Sequence, residues 1–124
     1  MKVDVAEHLQ SADEFLRESE HLIAGDFFRG AVGRAYYAMF HAATAALLSR
    51  GIERSSHHGI LAAFGERLVK PGLVEPRFHT YIREAFARRS ECDYLSFTAA
   101  DESEARATLQ RAKEFVGVCR SLCQ

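Results

Sequence analysis

Apolar residues recur along this chain at steps of three and four and never alternate at period two over a useful length, so helices are expected and strands are not. Val5, Leu9, Ala12, Leu16, Ser19 and Ile23 mark the buried stripe of a first helix over about Asp4 to Ala24, punctuated by Gly25 and Asp26. A second helix, about Phe27 to Arg50, is apolar on almost every side. Ala31, Ala35, Ala38, Ala42, Ala45 and Ala46 supply small residues; Val32, Tyr36, Met39, Phe40, Leu47 and Leu48 supply bulk. Such a helix is one that neighbours surround, and Gly51 stops it. A third helix starts at Ser55 or Ser56, either a good N-cap, and carries His57, Ile60, Leu61, Phe64 and Leu68 as far as Pro71 and Gly72. The fourth opens on Pro76, which suits a first helical position. Its stripe of Phe78, Tyr81, Ile82, Ala85 and Phe86 continues through Arg89 to Cys92. After a break around Ser96 to Ala99 the last helix begins near Thr98 to Asp101. Thr98 offers a cap there, and Asp101, Glu102 and Glu104 suit the positive end of the helix dipole. Ala105, Leu109, Ala112, Phe115, Val116, Cys119 and Leu122 then face inward. Short connections favour antiparallel neighbours. The expectation is an all-α, up-and-down antiparallel bundle of about five helices, a single domain over residues 1–124.

With 48% hydrophobic and 27% charged residues the chain reads as globular rather than disordered. No charged-then-apolar leader opens it, and its longest apolar run is interrupted by His41. A cytoplasmic protein without a membrane span is expected. The three cysteines, Cys92, Cys119 and Cys123, form no CxxC pair, which fits reduced thiols. Charge is uneven. Residues 1–26 hold seven acids against two Lys or Arg, residues 27–89 ten Lys or Arg against four acids, and residues 90–124 six acids against four. A basic middle between acidic ends suits either a positive groove for phosphates or complementary helix faces that pair within the bundle or across a dimer. Five helices in a chain this short each bury little, so a second subunit covering one face, as in a homodimer, is expected.

Candidate chemistry sits inside the apolar stripes. Arg34, Tyr37 and His41 share one face of the second helix. A buried Arg must be paired, so these residues either knit helices together or line a cleft for an anion. In "RRSECDYLS" (88–96), Arg89 and Asp93 lie one turn apart with Tyr94 beside them, and Glu84 can pair with Arg88. By spacing alone this is a surface salt-bridge ladder; yet Arg89 and Asp93 extend the stripe of Ile82 and Phe86, and so point toward something packed. In "SSHHG" (55–59) a helix start invites a phosphate, or a Ser caps while one His packs and the other stays exposed. Adjacent His diverge too far to share a metal, and no HExxH is present, so no metal site is expected. There is no Gly-rich phosphate loop, no GxSxG and no dinucleotide fingerprint, and no cofactor is expected.

"RAYYAMFHAATAALLSRG", "HHG", "RRSECDY" and "SEARATLQRAKEF" together resemble successive landmarks of the HEPN domains, in particular small single-domain members with an R-x-x-x-D-Y signature before the last helix. The resemblance covers nearly the whole chain. It implies a helical homodimer that binds a nucleotide or RNA, with a minimal nucleotidyltransferase as partner in a toxin–antitoxin-like pair. Ribonuclease members carry an Arg and, four to six residues on, a His. Here Asp93 stands at that distance from Arg88, Tyr94 at that distance from Arg89, and no His follows either Arg. Carried onto this sequence, Arg34, Arg88 and Arg89 would meet phosphate, and Asp93 would orient Arg89 or bond a base or ribose. Tyr94 would stack, or be the hydroxyl that the partner nucleotidylates. Tyr37, His41 and His58 are secondary candidates. A metal-independent ribonuclease toxin and a ligand-free structural interaction module are the other classes.

Overall fold

The computed structural model of the chain describes residues 2–94 and 99–124. Among them are five α-helices: α1 (Val3–Ala24), α2 (Phe28–Leu48), α3 (His57–Phe64), α4 (Pro76–Tyr94) and α5 (Glu102–Leu122). Cross-helix polar pairs give the directions. On α1 and α2, Ser19 pairs with Ala31, Glu18 with Arg34 and His8 with His41, numbers that run oppositely. On α1 and α5, Asp13 pairs with Arg120 and Glu20 with Lys113. On α4 and α5, Arg77 pairs with Glu114, Glu84 with Arg111 and Arg88 with Glu104. All three pairs of helices are therefore antiparallel, and the up-and-down bundle follows.

Helix α2 is the hub, packed against α1, α3, α4 and α5. That is why its sequence is apolar all round. Twelve of its residues are buried, and the alanines among them, from Ala31 to Ala46, let the surrounding backbones come close. The stripes on α1 and α5 face it as their periods require. Ser19, the polar member of the α1 stripe, is fully buried and donates from Oγ to the Ala31 carbonyl at 2.8 Å. A buried hydroxyl with that bond made costs little. Phe64, Phe78 and Phe115 join α3, α4 and α5 in one aromatic cluster, with Phe64 stacked on Phe115 at 5.0 Å between ring centres. Cys92 and Cys119 are buried free thiols. Among the described residues no helix is long and apolar enough to cross a membrane.

The helix ends follow local chemistry. Gly51 ends the turn after α2 with φ +75°, a conformation that favours glycine. Ser56, rather than Ser55, caps α3 by accepting from the Gly59 N–H at 2.9 Å. Asp101 caps α5 by accepting from the Glu104 N–H at 2.8 Å; Thr98, the other expected cap, lies outside the described residues. The third helix differs from expectation. It stays α-helical only to Phe64 and widens into a π turn over Gly65–Val69, closed by Lys70 N–H to Gly65 O at 2.9 Å. The His79 ring of α4 sits where a side chain at residue 65 would be, 2.6 Å from an ideal Cβ, and its Nε2 hydrogen-bonds the Leu61 carbonyl at 3.0 Å. The widening occurs at the seat of that ring.

Candidate functional site

The α1–α2 turn, the first three turns of α2 and the C-terminal half of α4 enclose an open hollow of about 770 Å³. Its polar lining is Arg29, Arg34 and Tyr37 from α2 and Arg89 and Asp93 from α4, with Asp26 on the turn. Three guanidinium groups thus face two carboxylates across a surface that admits solvent.

Arg89 is the centre of the arrangement. It continues the α4 stripe from Ile82 and Phe86, so packing carries it toward α2, and its side chain is only 21% exposed. Its stem passes Gly33, where a Cβ would lie 3.9 Å from Arg89 Cγ. The head is held three ways. Nε lies 2.8 Å from Asp93 Oδ2, one turn along the same helix. Nη2 donates to Tyr37 Oη at 2.5 Å. Cζ stands 5.0 Å from the centre of the Tyr37 ring, which stacks in turn on Phe15. A guanidinium has five donors in a fixed fork, and these contacts leave others free to meet an anion. Arg34 belongs to the rim: it is exposed, and its Nε stands 3.8 Å from Glu18 Oε1, a loose pair in water.

The structure separates the remaining candidates from this hollow. Arg88 is one residue from Arg89, and neighbours on a helix diverge by about 100°. Its Nε donates to Glu104 Oε1 at 2.5 Å, and Nη2 donates to the Ala99 carbonyl at 2.6 Å and to Glu104 Oε2 at 3.2 Å. The Glu104 hydrogen bond pushes the Arg88 pKa further above the ordinary arginine value. Arg88 ties α4 to the start of α5, and Glu84, its expected partner, pairs with Arg111 instead at 3.0 Å. His41 faces α1: its Nδ1 lies 2.9 Å from His8 Nδ1 and its ring stacks on Phe15. His58 is exposed and meets Phe86 edge-on. The Tyr94 side chain lies outside the described residues.

Three residues at or near the site escape sequence reasoning. Phe27, the residue before α2, and Arg29, in its first turn, line the hollow; for Phe27 the signal was the step of three and four through Gly30 and Arg34 to Tyr37, and for Arg29 there was none. The third is His57. It stacks on Phe40 at 4.3 Å, and its Nδ1 lies 2.5 Å from the hydroxyl of the fully buried Tyr36. Burial pushes the Tyr36 hydroxyl well above its ordinary pKa, so it keeps its proton and donates to Nδ1. That leaves the imidazole proton on Nε2.

Three histidines are held neutral by the fold. Burial lowers the pKa of His41, helped by His8 and His57; burial lowers His57, helped by Arg89 and His58; burial lowers His79, helped by Arg83. The unfolded chain therefore takes up protons first as pH falls. The stabilisation is complete above the ordinary histidine value of about 6.5 and declines as pH drops through and below it. The midpoint of thermal unfolding is expected to be lower at pH 5.5 than at pH 7.5; equal midpoints would contradict the burial of these rings.

The fold is an up-and-down helical bundle around a central helix, the class of all-α helical domains. By sequence the chain belongs to a particular family: the HEPN domain family matches residues 5–122, and this protein is a member of it. It is 30% identical over 113 residues to a UPF0332 protein of Thermotoga maritima, covering 91% of this chain and 86% of that one. It is 32% identical over 117 residues to "Putative toxin MJ0605" of Methanocaldococcus jannaschii, covering 91% and 87%. The crystal structure of TT1696 from Thermus thermophilus superposes with a TM-score of 0.82 over 98% of this chain and 99% of that chain, at 17% identity, which shows the shared fold.

Proposed function

We infer that this protein binds the phosphate of a nucleotide or of RNA in the hollow between α2 and α4. It acts as a homodimer and as the partner of a minimal nucleotidyltransferase in a toxin–antitoxin-like pair. The observation that carries the reading is Arg89, a largely buried guanidinium aimed into an open hollow and fixed by Asp93 and Tyr37, with Arg34 and Arg29 on the same hollow. A preset cation in a solvent-reachable recess costs no reorganisation when an anion arrives. Asp93 orients Arg89 and turns its second oxygen to a ribose hydroxyl or a base amino group. The toxin in the name of a relative supports the paired system.

The same site argues against phosphodiester cleavage. Among the described residues no histidine lines the hollow, and the group one turn from Arg89 is a carboxylate. A carboxylate there repels the scissile phosphate, and no imidazole among the described residues stands in the hollow to move a proton. The purified protein is expected to leave RNA intact.

Thermal unfolding with added ligand tests the reading. A short RNA or a nucleoside triphosphate at a hundred times its dissociation constant adds about 2.7 kcal/mol of stability, which raises the midpoint by several degrees. A nucleotidyltransferase encoded beside this protein is expected to co-purify with it. A folded sample whose midpoint ignores nucleotides and RNA alike would leave the structural-module reading in its place.

A further inference from the structure

Phe27 is 65% exposed, one of three large apolar side chains so placed among the described residues, with Val3 and Leu73. Of the three, it alone lines the hollow. It is not loose. Its backbone N–H donates to the Leu22 carbonyl at 2.8 Å, and Asp26 before it holds the left-handed turn at φ +65°. Its ring lies over Gly25, where an added Cβ would come within 3.2 Å of Cδ2. One edge of the phenyl is thus seated on the turn, and among the described residues no other ring stacks on it.

Phe27, Gly30, Arg34 and Tyr37 follow one another up the same side of α2. Seven residues separate Phe27 from Arg34, about 10 Å along the helix axis. Between them Gly30 and Gly33 line the wall beside Phe28 and Arg29: a Cβ at residue 30 would meet nothing closer than Leu22 at 3.4 Å, and one at residue 33 nothing closer than Arg89 Cγ at 3.9 Å. A flat apolar ring stands at one end of this wall, and the Arg34 and Arg89 guanidinium groups stand at the other. An inorganic phosphate uses the guanidinium end only. A paired duplex keeps its bases stacked inside and offers only its backbone. A strand with an unpaired base uses both ends.

We propose that the hollow selects nucleic acid presenting an unpaired base, which stacks on Phe27 while the adjoining phosphates meet Arg34 and Arg89. The inference rests on the phosphate-binding reading and adds the requirement for a single strand. Every base has an apolar face, so recognition at Phe27 tolerates sequence.

The test uses the full chain, a fluorescein-labelled 12-nucleotide single-stranded RNA, and the same strand annealed to its complement. The wild-type protein is expected to bind the single strand at least about tenfold more tightly than the duplex. Phe27→Ala is expected to weaken the single strand about tenfold, the effect of losing one stacked base. Phe27→Trp retains binding, and because the chain has no other tryptophan its fluorescence is quenched on addition of RNA. Phe27→Leu, apolar but without a flat face, behaves as the alanine variant. Binding that is unchanged in Phe27→Ala, or equal for single strand and duplex, overturns the stacking while leaving phosphate binding intact. If Phe27→Leu binds normally while Phe27→Ala loses dimer mass in sedimentation, the ring is a protein contact and the proposal fails. Absence of RNA binding by the wild-type protein removes this inference; the reading beneath it falls as well when nucleoside triphosphates also leave the unfolding midpoint unchanged.

Discussion

Arg89→Ala is expected to weaken binding of a short single-stranded RNA by about 1.5–3 kcal/mol, on the order of ten- to a hundredfold, and to leave the protein folded. The two halves of that statement have different physical sources. The binding loss comes from removing hydrogen bonds to a charged phosphate, in a recess where Arg89 is only 21% exposed. The fold survives because what Arg89 does for the protein is small. Its ion pair with Asp93 is intrahelical and the Asp93 side chain is 47% exposed, so solvent screening holds the pair to less than about 1 kcal/mol. Arg89→Lys is the sharper variant. It keeps the charge but lacks the fork that reaches Asp93 through Nε and Tyr37 through Nη2. A lysine that restores binding fully would mean that charge alone matters there; the preset geometry predicts partial recovery. Fluorescence anisotropy for affinity and a urea titration for stability separate the two effects.

Phe115→Ala is expected to cost about 3–5 kcal/mol of stability. Phe115 is fully buried, stacks on Phe64 at 5.0 Å and meets Phe78 edge-on at 6.3 Å. It thereby closes the contact between α3, α4 and α5. Removing it leaves two aromatic partners without their contact as well as losing its own buried area. The total stability of a chain this size is on the order of 10 kcal/mol, so a large part of it is lost. Urea unfolding at pH 7.5 checks the figure. A loss under about 1 kcal/mol would mean that this cluster is not the keystone of the core.

How far the sequence speaks differs between these two residues. The burial of Phe115 was legible because it sits on a stripe of period 3.6 that includes Leu109, Ala112 and Cys119, and such a stripe has only one way to face. The wrapping of α2 was legible for the same reason. The widened turn at Gly65–Val69 was not, because it lies where His79 of another helix packs, a contact that local pattern does not carry. At the site, spacing alone read Arg89 and Asp93 as a surface salt-bridge ladder; only their place on the stripe of Ile82 and Phe86 pointed them toward something packed, and Arg89 does meet Tyr37 of α2. The stripe set the direction of Arg89, but Arg88, swung about 100° away by one step along the helix, was still expected to meet phosphate because its partner lies on a distant helix. Glu104 decided it by capturing Arg88 from α5. His41 shares the Tyr37 face of α2, yet the α1 residues His8 and Phe15 claim it. Phe27 was counted as a helix start, and only the fold reveals that its ring overlooks the hollow.

The salt dependence of RNA binding shows which arginines meet phosphate. Each phosphate contact on a single strand contributes about −0.7 to the slope of log affinity against log salt. Arg34→Ala and Arg89→Ala are each expected to flatten the slope by about that amount, while Arg88→Ala, at a residue clamped to Glu104 away from the hollow, leaves it unchanged. A slope that flattens with Arg88→Ala and holds with the other two would contradict phosphate binding in the hollow.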